Sequence, residues 1–349
     1  MQISTVLSYA GGFRESAKQV ADLEKAGLDI VWVAEAYGFD SPSLMGYLAA
    51  LTETVHIGSA IMPIYTRTPT LIAMTGAGID ALSGGRFELG LGASGPQVIE
   101  GFHGVPYDAP IGRTREIVDI CRQVWKREAP LVHEGPRYTI PLPPDQGTGL
   151  GKPLKIIGHP RPDIPVWVAA LGEKNVAMTA EVANGWLPIL FVAEKAKDVW
   201  GAALDTGKAK RDPSLGPLHI AAGGLLAIGE GDDVRQLRNL ARPMVALYVG
   251  GMGAKGRNFY NDLARRYGYE KEAEEIQELY LGGKKEEAAA LVPDSLLESI
   301  SLCGPEGYVA ERIAVMKEAG VTNLQVTPFP TGGQSAADLI AKVKALSES

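Results

Sequence analysis

The feature that most constrains this chain is an alternation. Eight short runs rich in Val, Ile and Leu, at residues 2–8, 29–34, 55–62, 86–92, 164–170, 186–191, 219–228 and 321–327, are each followed by a helical pattern or by an irregular stretch leading to one. Runs this apolar suit strands buried on both faces, as parallel strands covered by helices are. Eight such units predict an α/β fold in which the strands close into a (β/α)8, or TIM, barrel. At 349 residues the chain exceeds a typical domain, yet barrels of this kind often run past about 250 residues as one unit, so residues 1–349 are expected to form a single domain.

The helices between the runs carry start and stop signals. Ser41-Pro42 and Thr68-Pro69 each offer an N-cap hydroxyl followed by a proline whose missing N–H costs nothing in the first turn. Gly27, Gly84, Gly185 and Gly320 stand just past helical stretches, where a left-handed residue is wanted. Two regions interrupt the rhythm. Residues 133–163 are rich in Gly and Pro and too long for an ordinary connection, so an insertion over the barrel mouth is expected there. Residues 250–300 hold several short charged helices, including Lys284-Lys285-Glu286-Glu287, whose charges are read as a solvated face.

Composition excludes several function classes. The 34 basic against 41 acidic residues give a net charge of -7, with no Lys/Arg cluster to neutralise a phosphate backbone, so nucleic acid is not an expected partner. No apolar run is long enough to cross a bilayer and the N-terminal residues lack a signal-like pattern, so no membrane association and a cytoplasmic location are expected. Cys121 and Cys303 lie far apart and suggest neither a disulfide framework nor a zinc site; no metal is expected. A homo-oligomer, dimer or tetramer, is left open.

In barrels the reactive groups come from the carboxyl ends of strands. That rule selects Ser8-Tyr9-Ala10, Glu35-Ala36-Tyr37, Ala60-Ile61-Met62, Ala93-Ser94-Gly95, Ala170-Leu171-Gly172 and Thr327. Most are small or apolar, which suits a flat aromatic cofactor better than a hydrolytic triad or a metal cluster. Gly90-Leu91-Gly92-Ala93-Ser94-Gly95 matches G-x-G-x-x-G, but it follows the fourth strand instead of the first, and Pro96 disfavours a helix opening directly after it. The alternative to a dinucleotide site is a strand end where glycine lets the backbone approach a ligand. The helix start after Gly172, with Lys174 close by, is able to receive a phosphate; it reads equally as an ordinary turn with a surface lysine. Glu35 is the carboxylate at an early strand end, directly after Val31-Trp32-Val33-Ala34, and a buried carboxylate needs either a partner or a task. The five histidines show no metal-ligand spacing.

The stretch Ile57-Gly58-Ser59-Ala60-Ile61-Met62-Pro63-Ile64-Tyr65-Thr66-Arg67-Thr68-Pro69, followed by Ile79-Asp80-Ala81-Leu82-Ser83-Gly84-Gly85-Arg86-Phe87-Glu88-Leu89-Gly90-Leu91-Gly92, resembles the bacterial luciferase-like superfamily. More narrowly it is similar to the coenzyme F420-dependent oxidoreductases, which include methylenetetrahydromethanopterin reductase. The resemblance implies a non-prolyl cis peptide between Ala60 and Ile61, in a bulge with Met62 that backs the deazaflavin ring. It also implies cofactor contacts from Ala93 and Ser94, and phosphate contacts from Leu171, Gly172, Lys174 and Asn175. Relatives often carry Asp-His where this chain has Glu35-Ala36, and some carry a glutamate near Gly95-Pro96, so glucose 6-phosphate is not an expected substrate. The expectation is hydride transfer between coenzyme F420 and a small organic substrate, with Glu35 as acid or base. The alternatives are an FMN-dependent monooxygenase and a non-catalytic flavin-binding protein.

Overall fold

The structure, a computed structural model, describes residues 1–7 and 12–348; the first strand end, Ser8-Tyr9-Ala10, lies outside the described residues. Eight parallel strands form the barrel: β1 (Gln2–Leu7), β2 (Ile30–Val33), β3 (His56–Ser59), β4 (Phe87–Gly92), β5 (Val166–Val168), β6 (Gly185–Trp186), β7 (His219–Ile228) and β8 (Asn323–Pro328). Each pairs with the next, and β8 closes on β1 through Gln2 opposite Asn323 and Ile3 opposite Leu324. The helices α1 (Phe13–Lys25), α2 (Ser41–Leu51), α3 (Pro69–Ser83), α4 (Pro110–Lys126), α5 (Glu173–Val182), α6 (Ala196–Lys208), α7 (Glu306–Glu318) and α8 (Ala336–Glu348) surround it. The chain is therefore a (β/α)8 barrel.

Inside the barrel Trp32 of β2 and Trp167 of β5 meet edge to face, with centroids 5.2 Å apart, among Ile30, Leu187 and Ala221. Two glycines make room for these rings. A Cβ on Gly58 would lie 2.2 Å from Trp32 Cζ3, and one on Gly185 would lie 2.0 Å from Trp167 Cε3. Gly185 thus departs from its expected part as a helix stop: it lies in β6 and serves volume. Gly27, Gly84 and Gly320 do take left-handed φ values of 97°, 70° and 89°. The Trp167 indole N–H donates to Glu88 Oε2 at 2.7 Å, and Glu88 Oε1 lies 2.9 Å from His56 Nδ1, which ties β3, β4 and β5 together toward the end of the barrel away from the mouth.

Other expectations are corrected by packing. The run 55–62 breaks after Ser59, resumes as Met62–Pro63, and pairs there with Leu91 and Gly92. The run at 164–170 yields only three strand residues and that at 186–191 only Trp186, the second because Pro188 has no N–H for a ladder and Leu190 turns left-handed at φ 53°. A strand not expected, Ser301–Gly304, adds to β7 outside the ring. Thr68 caps α3 through Leu71 N–H, but α2 is capped by Asp40, which accepts from Ser43 N–H, leaving the Ser41 hydroxyl for another task.

Residues 133–163 were expected over the mouth; instead a hairpin of His133–Glu134 and Thr139–Ile140 lies along α4. Buried Glu116 holds it, accepting from Tyr138 N–H at 3.0 Å and facing His133 Nε2 at 3.1 Å, so only the tip reaches Arg113 near the mouth-side start of α4. The second excursion runs from Asp232 to Ser299 between β7 and α7. No helix among the described residues is long and apolar enough to cross a membrane.

The interior sets a testable stability order. Gly185→Ala should cost about 1–3 kcal/mol, because a buried tryptophan must shift. Gly46→Ala, in α2 where a Cβ meets nothing within 4 Å, should stabilise by roughly 0.5–1 kcal/mol. Urea unfolding of the two variants beside the parent checks this; equal midpoints would refute the volume argument.

Candidate functional site

The mouth is assembled from strand ends. After β2, Glu35 accepts four hydrogen bonds: Arg67 Nη1 at 2.7 Å on Oε1, and Arg67 Nη2 at 3.1 Å, Ser41 N at 2.8 Å and Ser41 Oγ at 2.7 Å on Oε2. The side chains are nearly closed off, 8% exposed for Glu35 and 13% for Arg67. A carboxylate this enclosed needs such partners, and the forked guanidinium supplies two donors in matching geometry. Of the two readings open for Glu35, the ion-pair reading finds its partner in Arg67, which stands in the motif after the third strand and was not singled out from sequence.

The ends of β3 and β4 lie together. The Ala60–Ile61 peptide bond is cis. The Ser59 hydroxyl donates to Gly90 O at 2.8 Å and accepts from Gly90 N–H at 2.9 Å, clamping the two strands. The glycines of the G-x-G-x-x-G stretch serve this approach: a Cβ on Gly90 would fall on the Ser59 carbonyl, and one on Gly92 would lie 2.9 Å from Ile61 Cγ1. Only a single helical turn, Pro96–Ile99, follows. Ala60 and Ile61 rest on the tryptophan layer, Met62 is buried in the main core, and Ala93 packs against that core while Ser94 turns left-handed at φ 58°.

The third part is the end of β5. Gly172 is the N-cap of α5, with its carbonyl accepting from Asn175 and Val176 N–H. The N–H groups of Leu171, Gly172, Glu173 and Lys174 have no partner among the described residues. Lys174 is exposed and Asn175 is partly buried, its side-chain oxygen enclosed without a hydrogen bond. A Cβ on Gly172 would have nothing nearer than Phe259 Cε1 at 4.0 Å.

Phe259 comes from the second excursion, where buried Asn258 caps its helix by accepting from Tyr260 and Asn261 N–H. Arg266 of that helix reaches Glu173 at 3.1 Å, docking the excursion on the start of α5. Tyr37, Phe39, Phe102 and Phe329, on connections leaving strand ends, are exposed like Phe259, and Tyr37 lies 6.2 Å from Phe102 between centroids. The Tyr107 hydroxyl donates to Ser94 O at 3.4 Å. Burial holds the Tyr107 and Tyr260 phenols above their usual range, so both are neutral donors at ordinary pH. Tyr107 carried no sequence signal, lying in a loop well past the fourth strand. Among the described residues no group of His, Cys, Asp and Glu is arranged to hold a metal ion.

The mouth thus joins small residues on two strand ends with free amides on a third, on a (β/α)8 barrel. The profile of the luciferase-like monooxygenase family matches residues 1–323, and the chain belongs to that family. It is 41% identical over 332 residues, 94% of this chain and 95% of the relative, to a protein of Mycobacterium tuberculosis named provisionally as a coenzyme F420-dependent oxidoreductase. It is 28% identical over 329 residues, 91% of both chains, to a 5,10-methylenetetrahydromethanopterin reductase of Archaeoglobus fulgidus. Among solved structures, the coenzyme F420-dependent tetrahydromethanopterin reductase of Methanopyrus kandleri superposes with a TM-score of 0.76 at 21% identity, covering 97% of each chain. An F420-dependent secondary alcohol dehydrogenase does so at 0.73 and 18% identity, over 99% and 98%. At those identities the structures speak for the shared fold.

The ion pair behind β2 makes a prediction of its own. Arg67→Met should destabilise by about 3–5 kcal/mol, since it leaves Glu35 enclosed without its counter-charge, while Arg67→Met with Glu35→Gln should recover most of the loss. Thermal and denaturant unfolding of the single and double variants measure this. Additive losses would show that the two side chains are not coupled.

Proposed function

We propose that the chain is a coenzyme F420-dependent oxidoreductase that moves hydride between the deazaflavin and a small organic substrate. The observation that carries the reading is the run of four unpartnered N–H groups at Leu171–Lys174 beside an open glycine, facing the same mouth as the small strand ends of β3 and β4. The names of relatives with 41% and 28% identity point the same way.

The residues present fit such a cofactor. The enclosed side-chain oxygen of Asn175, which has no hydrogen bond, and the free space at Gly172 leave a polar cradle unfilled by protein. Leu171, Gly172, Lys174 and Asn175 would hold the phosphate end, where helix-start N–H groups favour an anion. Ala60, Ile61, Ala93 and Ser94 would back the ring, their small or apolar surfaces admitting a flat aromatic system, while Met62, fully buried in the core, would support them from behind. When bound, the deazaflavin supplies two-electron hydride chemistry with little reaction toward oxygen. The protein's part is to orient the ring, exclude water below it with the Trp32–Trp167 layer, and offer apolar walls from Tyr37, Phe102 and Phe259 to the substrate. Glu35, with donors on both oxygens, is read as a positioning residue that fixes Arg67 and the start of α2.

The parent protein titrated with F420 and with FMN should bind F420 more tightly. Micromolar FMN binding with no detectable F420 binding would move the chain to the FMN monooxygenase reading, and F420 binding without turnover on any carbonyl or alcohol to the non-catalytic one. Gly172→Val should weaken F420 by covering the amides, and the folded protein should tolerate it because the space is open. Unchanged affinity in that variant would count against the placement of the phosphate. Glu35→Gln should change stability more than the rate of the chemical step; a loss of roughly 10²-fold in turnover with stability intact would make it the acid or base.

A further inference from the structure

Two tryptophans stand behind the end of β5 with their indole N–H groups aimed at consecutive carbonyls. Trp186 Nε1 donates to Ala170 O at 2.9 Å, and Trp200 Nε1 donates to Leu171 O at 2.9 Å. In a trans peptide the C=O and the following N–H point in opposite directions, and both peptides here are trans. Drawing the two carbonyls toward the core therefore turns the N–H groups of Leu171 and Gly172 away from it. These are the first two of the four unpartnered donors.

The tryptophans have little freedom of their own. Trp186 and Trp200 meet edge to face at 5.1 Å, Phe191 lies parallel to Trp200 at 5.6 Å, and Tyr267 meets Trp200 edge-on at 6.1 Å. All four rings are at most 5% exposed. An indole N–H is a donor only, so flipping either peptide would strand a buried donor and would aim a carbonyl at the mouth. The same cluster steadies the next strand end: the Tyr267 hydroxyl donates to Leu190 O at 2.8 Å, where Leu190 holds a φ of 53°. Phenylalanine would keep a ring at either tryptophan position, in a smaller volume, and would not hold a carbonyl.

We propose that Trp186 and Trp200 are positioning residues, which lock two successive peptides so that their N–H groups meet the anionic phosphate end of the cofactor. The inference rests on the deazaflavin reading and deepens it by assigning to the core, not to the mouth, the groups that set cofactor affinity.

Trp200→Phe keeps an aromatic ring and removes the donor; Trp186→Phe does the same one residue earlier in the cradle. Fluorescence titration would compare their affinity for F420 with that for the phosphate-free deazaflavin chromophore, with near-UV circular dichroism to verify packing. The expected result is a loss of about ten-fold for F420, the order expected for a mis-set charge-assisted hydrogen bond, with the chromophore's affinity unchanged. Equal loss for both ligands would mean that the rings only pack, and would overturn the proposal, as would no loss for either. Failure of the parent protein to bind F420 would sink the functional reading itself, which is a different result. If the variants do not fold, hydrogen exchange on the parent decides: amides 171–174 must gain protection with F420 and not with the chromophore, and absence of that difference overturns the proposal.

Discussion

Closing eight parallel strands creates an interior that side chains must fill, and the way it is filled here governs everything above it. Trp32 and Trp167 occupy that space because Gly58 and Gly185 leave it to them. The polar end of Trp167 is satisfied by Glu88, a buried carboxylate that also faces His56. Ala60 and Ile61 rest on this layer. Above this plug the mouth opens at the carboxyl ends of the strands, which is where barrels of this kind carry their chemistry.

The mouth itself is built from groups whose orientation is set from behind. On one side Glu35 ties Arg67 to the first turn of α2. On the other, indole donors hold the carbonyls of Ala170 and Leu171, and an excursion helix docks through Arg266 on Glu173. Between them Ser59 clamps β3 to β4 at Gly90. Most of these devices spend enclosed hydrogen bonds on fixing position, and the surfaces left at the mouth are small side chains, free amides and the exposed rings of Tyr37, Phe102 and Phe259. A site of this kind suits a large, flat, anionic cofactor, which needs shape and N–H donors more than it needs charged side chains.

Much of this was legible in the chain. The alternation of strands and helices predicted the barrel, three of the four expected glycine stops are left-handed, and Thr68 caps α3 as its hydroxyl and the following proline suggested. The motif at 57–69 marked the strand end that carries the cis bond. Other readings failed where a residue's task depends on a distant neighbour. Ser41 looked like a cap and instead serves Glu35, while Gly185 looked like a helix stop and instead yields to Trp167. The strand at 301–304 was missed because four residues have too short a pattern to register, and only β7 gives them a partner.

What the sequence by itself determined is what local chemistry controls: the alternation of eight strands and helices that makes the barrel, the positions of several turns, and the family motifs that recur at strand ends. Hydrophobic period, proline and glycine act within a few residues, so they can be read along the chain. Tertiary structure alone decided which donor meets which acceptor and which ring fills which gap. Arg67 reaches Glu35 across 32 residues, and Trp200 reaches Leu171 across 29. Such partners are chosen by close packing and by the cost of burying an unpaired polar group, and both are settled only when the barrel closes.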